Sequence, residues 1–98
     1  GPYRPQLAQF FLAEVVDEQG DIVATIPNKP GKQGSLAVYN SLRERFGVLD
    51  SDAAQTGLEL FCEHTEDARR NPGKHPNIDL LLNIISDRGR LHIRLAGQ

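Results

Sequence analysis

The stretch Phe10-Phe11-Leu12-Ala13-Glu14-Val15-Val16, followed by Asp17-Glu18-Gln19-Gly20-Asp21 and Ile22-Val23-Ala24-Thr25-Ile26-Pro27, decides the fold class. Its first seven residues are apolar at every position but Glu14 and rich in aromatic and β-branched types, the pattern of a strand buried on both faces. The polar cluster around Gly20 turns the chain. Ile22, Ala24 and Ile26 then alternate with Val23 and Thr25, and Pro27 and Pro30 stop the ladder, so residues 21–26 form the second arm of a hairpin. As the most uniformly apolar strand, residues 10–16 belong at the centre of a small sheet.

Beyond the hairpin and a loop over residues 28–34 the periodicity becomes helical. Ser35 suits the N-cap of a first helix to about Phe46, with Tyr39, Leu42 and Phe46 at helical spacing and Gly47 as its stop. Asp50 or Ser51 caps a second, longer helix to about Arg70, on which Ala54, Leu58, Phe61, Cys62, Thr65 and Ala68 share one face. Pro76 fits the first turn of a third, with Asp79 near its positive end. Ile78, Leu81, Leu82 and Ile85 form that helix's inner face, and Leu80 and Ile84 widen the apolar arc. Such an arc belongs to a helix packed on two sides or to one offering a side to a partner. After the turn at Arg88-Gly89-Arg90, Leu91, Ile93 and Leu95 alternate with His92 and Arg94 as a half-buried last strand. The expected class is α+β: a small three-stranded sheet with three helices on one face, in the order β-β-α-α-α-β.

The 98 residues, 39% of them hydrophobic, suffice for one domain with a modest core. Gly1-Pro2 has the form of a tag remnant, so residues 1–6 are read as remnant and disordered N-terminus and residues 7–98 as a single α+β domain. Eleven Lys and Arg against 13 Asp and Glu give a formal charge of −2, which supplies no general attraction to nucleic acid or an anionic membrane. The apolar run over residues 7–16 is far shorter than the ~20 residues of a membrane span. A single cysteine, Cys62, forms no internal disulfide and no Cys-x-x-Cys pair, which fits a reducing, cytoplasmic setting.

Pro-Gly-Lys occurs twice, at residues 30–32 and 72–74, each time ahead of a helix. The first N–H groups of a helix lack intrahelical partners, and the dipole adds about half a positive charge there, so a phosphate or carboxylate can settle against them. Lys32, Gly34 and Ser35 in one loop, and Lys74, His75 and Asn77 in the other, are the candidate ligand-binding residues, provided both loops lie on one side of the domain. The order Gly-Lys-Gln-Gly-Ser is not the Gly-x-x-x-x-Gly-Lys-Ser/Thr of a nucleotide loop. As plain architecture, Pro-Gly supplies turn geometry while lysine stays in solvent.

A lesser alternative is a metal held by His64, Asp67 and His75. On a helix His64 and Asp67 share a side, whereas His64 and Cys62 stand about 200° apart, and Cys62 falls on the apolar face as a small core residue. His64 flanks the apolar stripe and is expected to be packed and hydrogen-bonded. Glu59, Glu63, Glu66 and Arg70 form a solvated stripe with a Glu66 to Arg70 pair. Arg88, Arg90, His92 and Arg94 guard an edge strand; no aromatic interleaves them as single-strand nucleic-acid binding requires.

The segment from Asn28 to Tyr39, and the blocks Glu63-His64-Thr65-Glu66-Asp67-Ala68 and Pro72-Gly73-Lys74-His75-Pro76-Asn77-Ile78-Asp79, resemble a family of short proteobacterial proteins catalogued as a domain of unknown function. The resemblance covers roughly residues 10–95 and implies a small bacterial cytoplasmic protein, with no activity, catalytic residue or cofactor to carry over. The expected function is non-enzymatic: binding of a partner protein or self-association, through the arc of residues 78–85 or an exposed sheet edge. The alternative is a small-anion binder using the two loops, and an enzyme based on His64 or His75 comes last. Neither a membrane nor nucleic acid is an expected partner.

Overall fold

The computed structural model describes residues 10–97. The expected tag remnant and disordered segment at residues 1–6, and the start of the domain at residue 7, lie outside them. Among the described residues the elements are β1 (Phe10–Val16), β2 (Ile22–Pro27), α1 (Gln33–Phe46), α2 (Ser51–Leu60), α3 (Glu63–Arg70), α4 (Pro76–Asp87) and β3 (His92–Gly97). This is an α+β fold, with four helices among the described residues rather than three.

The sheet is antiparallel throughout, in the order β2-β1-β3, so the most apolar strand is central as its composition demanded. Ala13 stands opposite Ile26 and Leu95, and Val15 opposite Ala24 and Ile93. These residues form the face that the helices cover. On the other face Glu14 lies between Thr25 and Arg94, and its carboxylate accepts a hydrogen bond from Arg94 Nε at 2.6 Å. The expectation of burial on both faces therefore needs correction. Ala13 and Val15 are fully buried, whereas Leu12 and Glu14 are half-buried because no described helix lies over them.

The core forms where α1 packs on all three strands and on α2, and α2 in turn packs on α4, with Leu36, Tyr39, Leu42, Ala53, Ala54, Leu58, Ile78 and Leu81 all buried. Gly57 allows this closeness. A Cβ there would stand 2.7 Å from Leu81 Cδ1 and 2.9 Å from Leu42 Cδ1, so α2 is gripped between α1 and α4 at a position without a side chain. Leu81 and Ile84 of α4 are fully buried while Leu80, Leu82 and Ile85 are half-buried against the core. Ile84 therefore replaces Leu82 and Ile85 on the inner face. The broad arc is used by packing against two helices, α2 and α3.

The second helix was expected to run unbroken to Arg70, but it ends at Leu60, and α3 starts afresh at Glu63. Cys62 takes φ 55° and ψ −127°, which no helix accommodates. A straight helix over residues 51–70 would be about 30 Å long, close to the longest dimension of the domain, 33 Å. The break instead folds α3 back against α4. Thr65 Oγ1 donates to the Leu58 carbonyl at 2.6 Å, satisfying one of the acceptors that the end of α2 leaves over. This turn also overturns two expectations: Cys62 and His64 are both exposed, because the reversal swings them off the apolar stripe. Glu66 and Arg70, both within α3, keep their pair at 3.4 Å.

Local signals hold elsewhere. Asp50 caps α2 by accepting from Ala53 N at 3.1 Å, and Gly47 ends α1 at φ 75°. Pro76 opens α4. Ser35, however, is not the cap of α1: the helix starts three residues earlier than that cap implies, with Lys32 at the N-cap, so Ser35 lies within the first turn. Among the described residues no helix is long and apolar enough to cross a membrane.

Candidate functional site

The two Pro-Gly-Lys loops meet. They border one cavity of about 560 Å³, with Gly31, Lys32, Gly34 and Ser35 on one wall and Lys74, His75, Pro76 and Asn77 on another. All six candidate ligand-binding residues, Lys32, Gly34, Ser35, Lys74, His75 and Asn77, line it. A third wall, which the sequence did not announce, is the α2–α3 turn with Leu60, Phe61, Cys62, Glu63 and His64; Val38 and Ile78 complete the lining.

Each loop is held by identifiable contacts. Tyr39, fully buried on α1, donates its hydroxyl to the Asn77 carbonyl at 2.5 Å and so ties the first helix to the start of α4. Burial pushes that hydroxyl's pKa far up, which keeps it a donor. Gly31 and Gly73 have φ of 85° and 92°, the left-handed turns that Pro-Gly was expected to supply. Gly73 N donates to Asp79 Oδ2 at 2.9 Å, so the acid of α4's first turn closes its own loop.

Asp67 organises the second loop. Its Oδ2 lies 2.6 Å from His75 Nε2 and 3.0 Å from Lys74 Nζ. The hydrogen bonds from His75 and then Lys74 hold the Asp67 carboxyl down at about 2, so it is ionised at neutral pH. His64 approaches the same group, its ring centroid 5.9 Å from that of His75. His64, Asp67 and His75 are thus neighbours, as the metal alternative required. Among the described residues, though, no group of three or more His, Cys, Asp and Glu side chains is placed to hold a metal ion.

The electrostatic layout follows from which helix ends lack a side-chain cap. Lys32, Cys62 and His75 are the N-cap residues of α1, α3 and α4, none makes a side-chain capping bond, and all three line the cavity. By contrast α2, among the described helices the one with a side-chain N-cap, carries that cap on Asp50, which does not line the cavity. The ends also differ in compensation. The first turn of α3 carries Glu63 and Glu66, that of α4 carries Asp79, and that of α1 carries no acid. Lys32 is exposed and forms no ion pair with any described residue, while Lys74 is taken by Asp67. The start of α1 is therefore the least neutralised positive end in the cavity.

Sequence reasoning missed the apolar wall of Val38, Leu60 and Phe61, the entry of Cys62 and Glu63, and the anchoring roles of Asp67 and Tyr39. Only the Asp67 role had a local signal, since Asp67 lies one helical reach from the loop that carries Lys74 and His75.

Fold and site together define a small α+β domain whose helix N-termini gather around one partly apolar cavity. The chain belongs to the family described as "Uncharacterized protein conserved in bacteria" (DUF2322), whose family model matches residues 5–95. No curated protein and no solved structure matches it.

Proposed function

We propose that the protein binds a small organic anion, a phosphate or carboxylate carrying an apolar portion, in the cavity between the two Pro-Gly-Lys loops. The observation behind this reading is the convergence of three helix N-termini without side-chain caps, those at Lys32, Cys62 and His75, on one cavity. Each adds about half a positive charge, and the start of α1 also offers its first-turn N–H groups, whereas in α3 the His64 and Thr65 N–H groups bond to the Phe61 and Cys62 carbonyls, and in α4 Pro76 has no N–H and Ile78 N bonds to the His75 carbonyl. The anionic head goes to the start of α1, where Lys32 supplies a full charge and Gly34 and Ser35 supply backbone and hydroxyl donors. Gly34 lets the head approach closely, since it has no Cβ and nothing within 4 Å of that position. Lys74 and His75, steadied by Asp67, and Asn77 form the facing side. The apolar remainder lies on Val38, Leu60 and Phe61. A cavity of about 560 Å³ falls within the ~300–1,000 Å³ common for small-molecule sites.

Thermal melting against inorganic phosphate, a nucleotide panel, and aliphatic and aromatic carboxylates tests this. At least one class is expected to raise Tm, with ~2.7 kcal/mol of stabilisation at a hundred-fold excess over Kd. Lys32→Ala should remove most of the shift, and Lys74→Ala less, because Lys74 already has a carboxylate partner. A flat response across the panel overturns the proposal; a shift that Lys32→Ala leaves unchanged overturns the placement of the head.

A further inference from the structure

A separate surface carries a proposal about self-assembly. Strand β2 is an edge: β1 pairs with one side of it, and among the described residues no strand pairs with the other. Residues 22–27 contain no charge, and Ile22 and Val23 are about half exposed. Edge strands are commonly protected by charges, prolines or bulges, because their free N–H and C=O groups invite another strand. The opposite edge, β3, is protected in this way, with Arg94 bound to Glu14 and His92 to Glu18. On β2 the bulge opposite Val15/Val16 and Pro27 lie toward its two ends, leaving Ala24, Thr25 and Ile26 open between them.

We propose that β2 pairs antiparallel with β2 of a second copy about a two-fold axis through Thr25, joining two sheets into one of six strands. Charge complementarity selects this register. With Thr25 opposite itself, Ala24 faces Ile26 and Val23 comes beside Pro27, and Asp21, just before the strand and past the bulge, comes to the end where Lys29 of the second copy, just after its strand, lies, twice by symmetry. Asp21, Thr25 and Lys29 are exposed, and neither Asp21 nor Lys29 forms an ion pair with a described residue. Moving the axis to Ala24 or Ile26 would set Asp21 against Pro27 or Gly31 and lose both pairs. The chosen axis also opposes residues of like face, so Ala24 and Ile26 of both copies stay on the helix-covered side.

Analytical ultracentrifugation across the micromolar range should show a monomer–dimer equilibrium. Thr25→Lys, which sets two ammonium groups opposite one another, should raise the dimer Kd about five-fold or more. Asp21→Lys and Lys29→Asp should each weaken the dimer, and the double swap should restore it. In a Cys62→Ser background, Thr25→Cys should form a symmetric disulfide on mild oxidation, because opposed residues of an antiparallel pair have Cα atoms ~4.5–5.5 Å apart, within disulfide reach. All these positions are exposed, and unchanged far-UV circular dichroism checks that each variant folds. A protein monomeric at every concentration overturns the proposal, as does a dimer that Thr25→Lys leaves intact and Thr25→Cys fails to cross-link. Single swaps that weaken it without rescue by the double swap overturn the register.

Discussion

Substituting Gly57 by alanine puts the packing of the three core helices to a direct test. In an exposed helix Gly→Ala stabilises by roughly 1 kcal/mol, because alanine loses less backbone entropy on folding. At Gly57 the new methyl would stand 2.7 Å from Leu81 Cδ1 and 2.9 Å from Leu42 Cδ1. Both leucines are buried to within 1% of complete, so neither has open space to swing into. Moving them to ordinary contact means shifts of nearly 1 Å in a close-packed interior, and such overpacking costs about 1–3 kcal/mol. The steric cost outweighs the helical gain, for a net loss of about 1 kcal/mol and a fall in Tm of about 5 °C for a domain of this size. Gly34→Ala is the internal control: Gly34 is also helical, but nothing lies within 4 Å of its Cβ position. That variant should gain a few tenths to ~1 kcal/mol. Urea unfolding followed at 222 nm, with both variants beside the parent, reads the two signs. If Gly57→Ala stabilises as Gly34→Ala does, α1 and α4 do not close on α2 as described, and the reasoning fails.

Two further predictions address the cavity walls. Cys62→Gly should raise stability by about 1 kcal/mol, since a non-glycine residue held at such a conformation costs about 1–3 kcal/mol and glycine gives back part of that gain in backbone entropy; a lower urea midpoint for this variant would contradict the account of the α2–α3 turn. Asp67 titrates at about 2 in the folded protein, held there by His75 and Lys74, below the ~3.9 of an unfolded chain. Its contribution is therefore fully present above about pH 4 and is lost as pH falls through 2. The Tm gap between the parent and Asp67→Asn should be constant near neutrality and close over that acid range. A gap that persists unchanged to the lowest pH would show that the ionised carboxylate is not what holds the loop.

Much of this architecture is local and so was legible in the chain. The uniform apolarity of residues 10–16 made β1 central, Gly20 and its polar neighbours made the hairpin, and Asp50, Gly47 and Pro76 marked helix ends, because capping and periodicity act over a few residues. The same local chemistry singled out Lys32, Gly34, Ser35, Lys74, His75 and Asn77. Where it failed, no local signal existed. Residues 61–62 contain neither glycine nor proline, and the periodicity runs straight through them. The break at Cys62 is stabilised by contacts from elsewhere, the Thr65 bond to Leu58 and the packing of α3 on α4. The start of α1 at Gln33 rather than after Ser35 likewise reflects a turn that closes on Lys29 O, not a side-chain cap.

What the sequence determined by itself was the inventory: an α+β chain with a central apolar strand and two basic turns, each opening onto a helix. Whether those turns faced each other was a matter for tertiary structure alone. Their meeting depends on how α1 and α4 cross against α2, which the gap at Gly57 permits and the Tyr39 bond to Asn77 locks. Interactions between residues far apart in the chain set that angle, and no short window of sequence contains both ends of them.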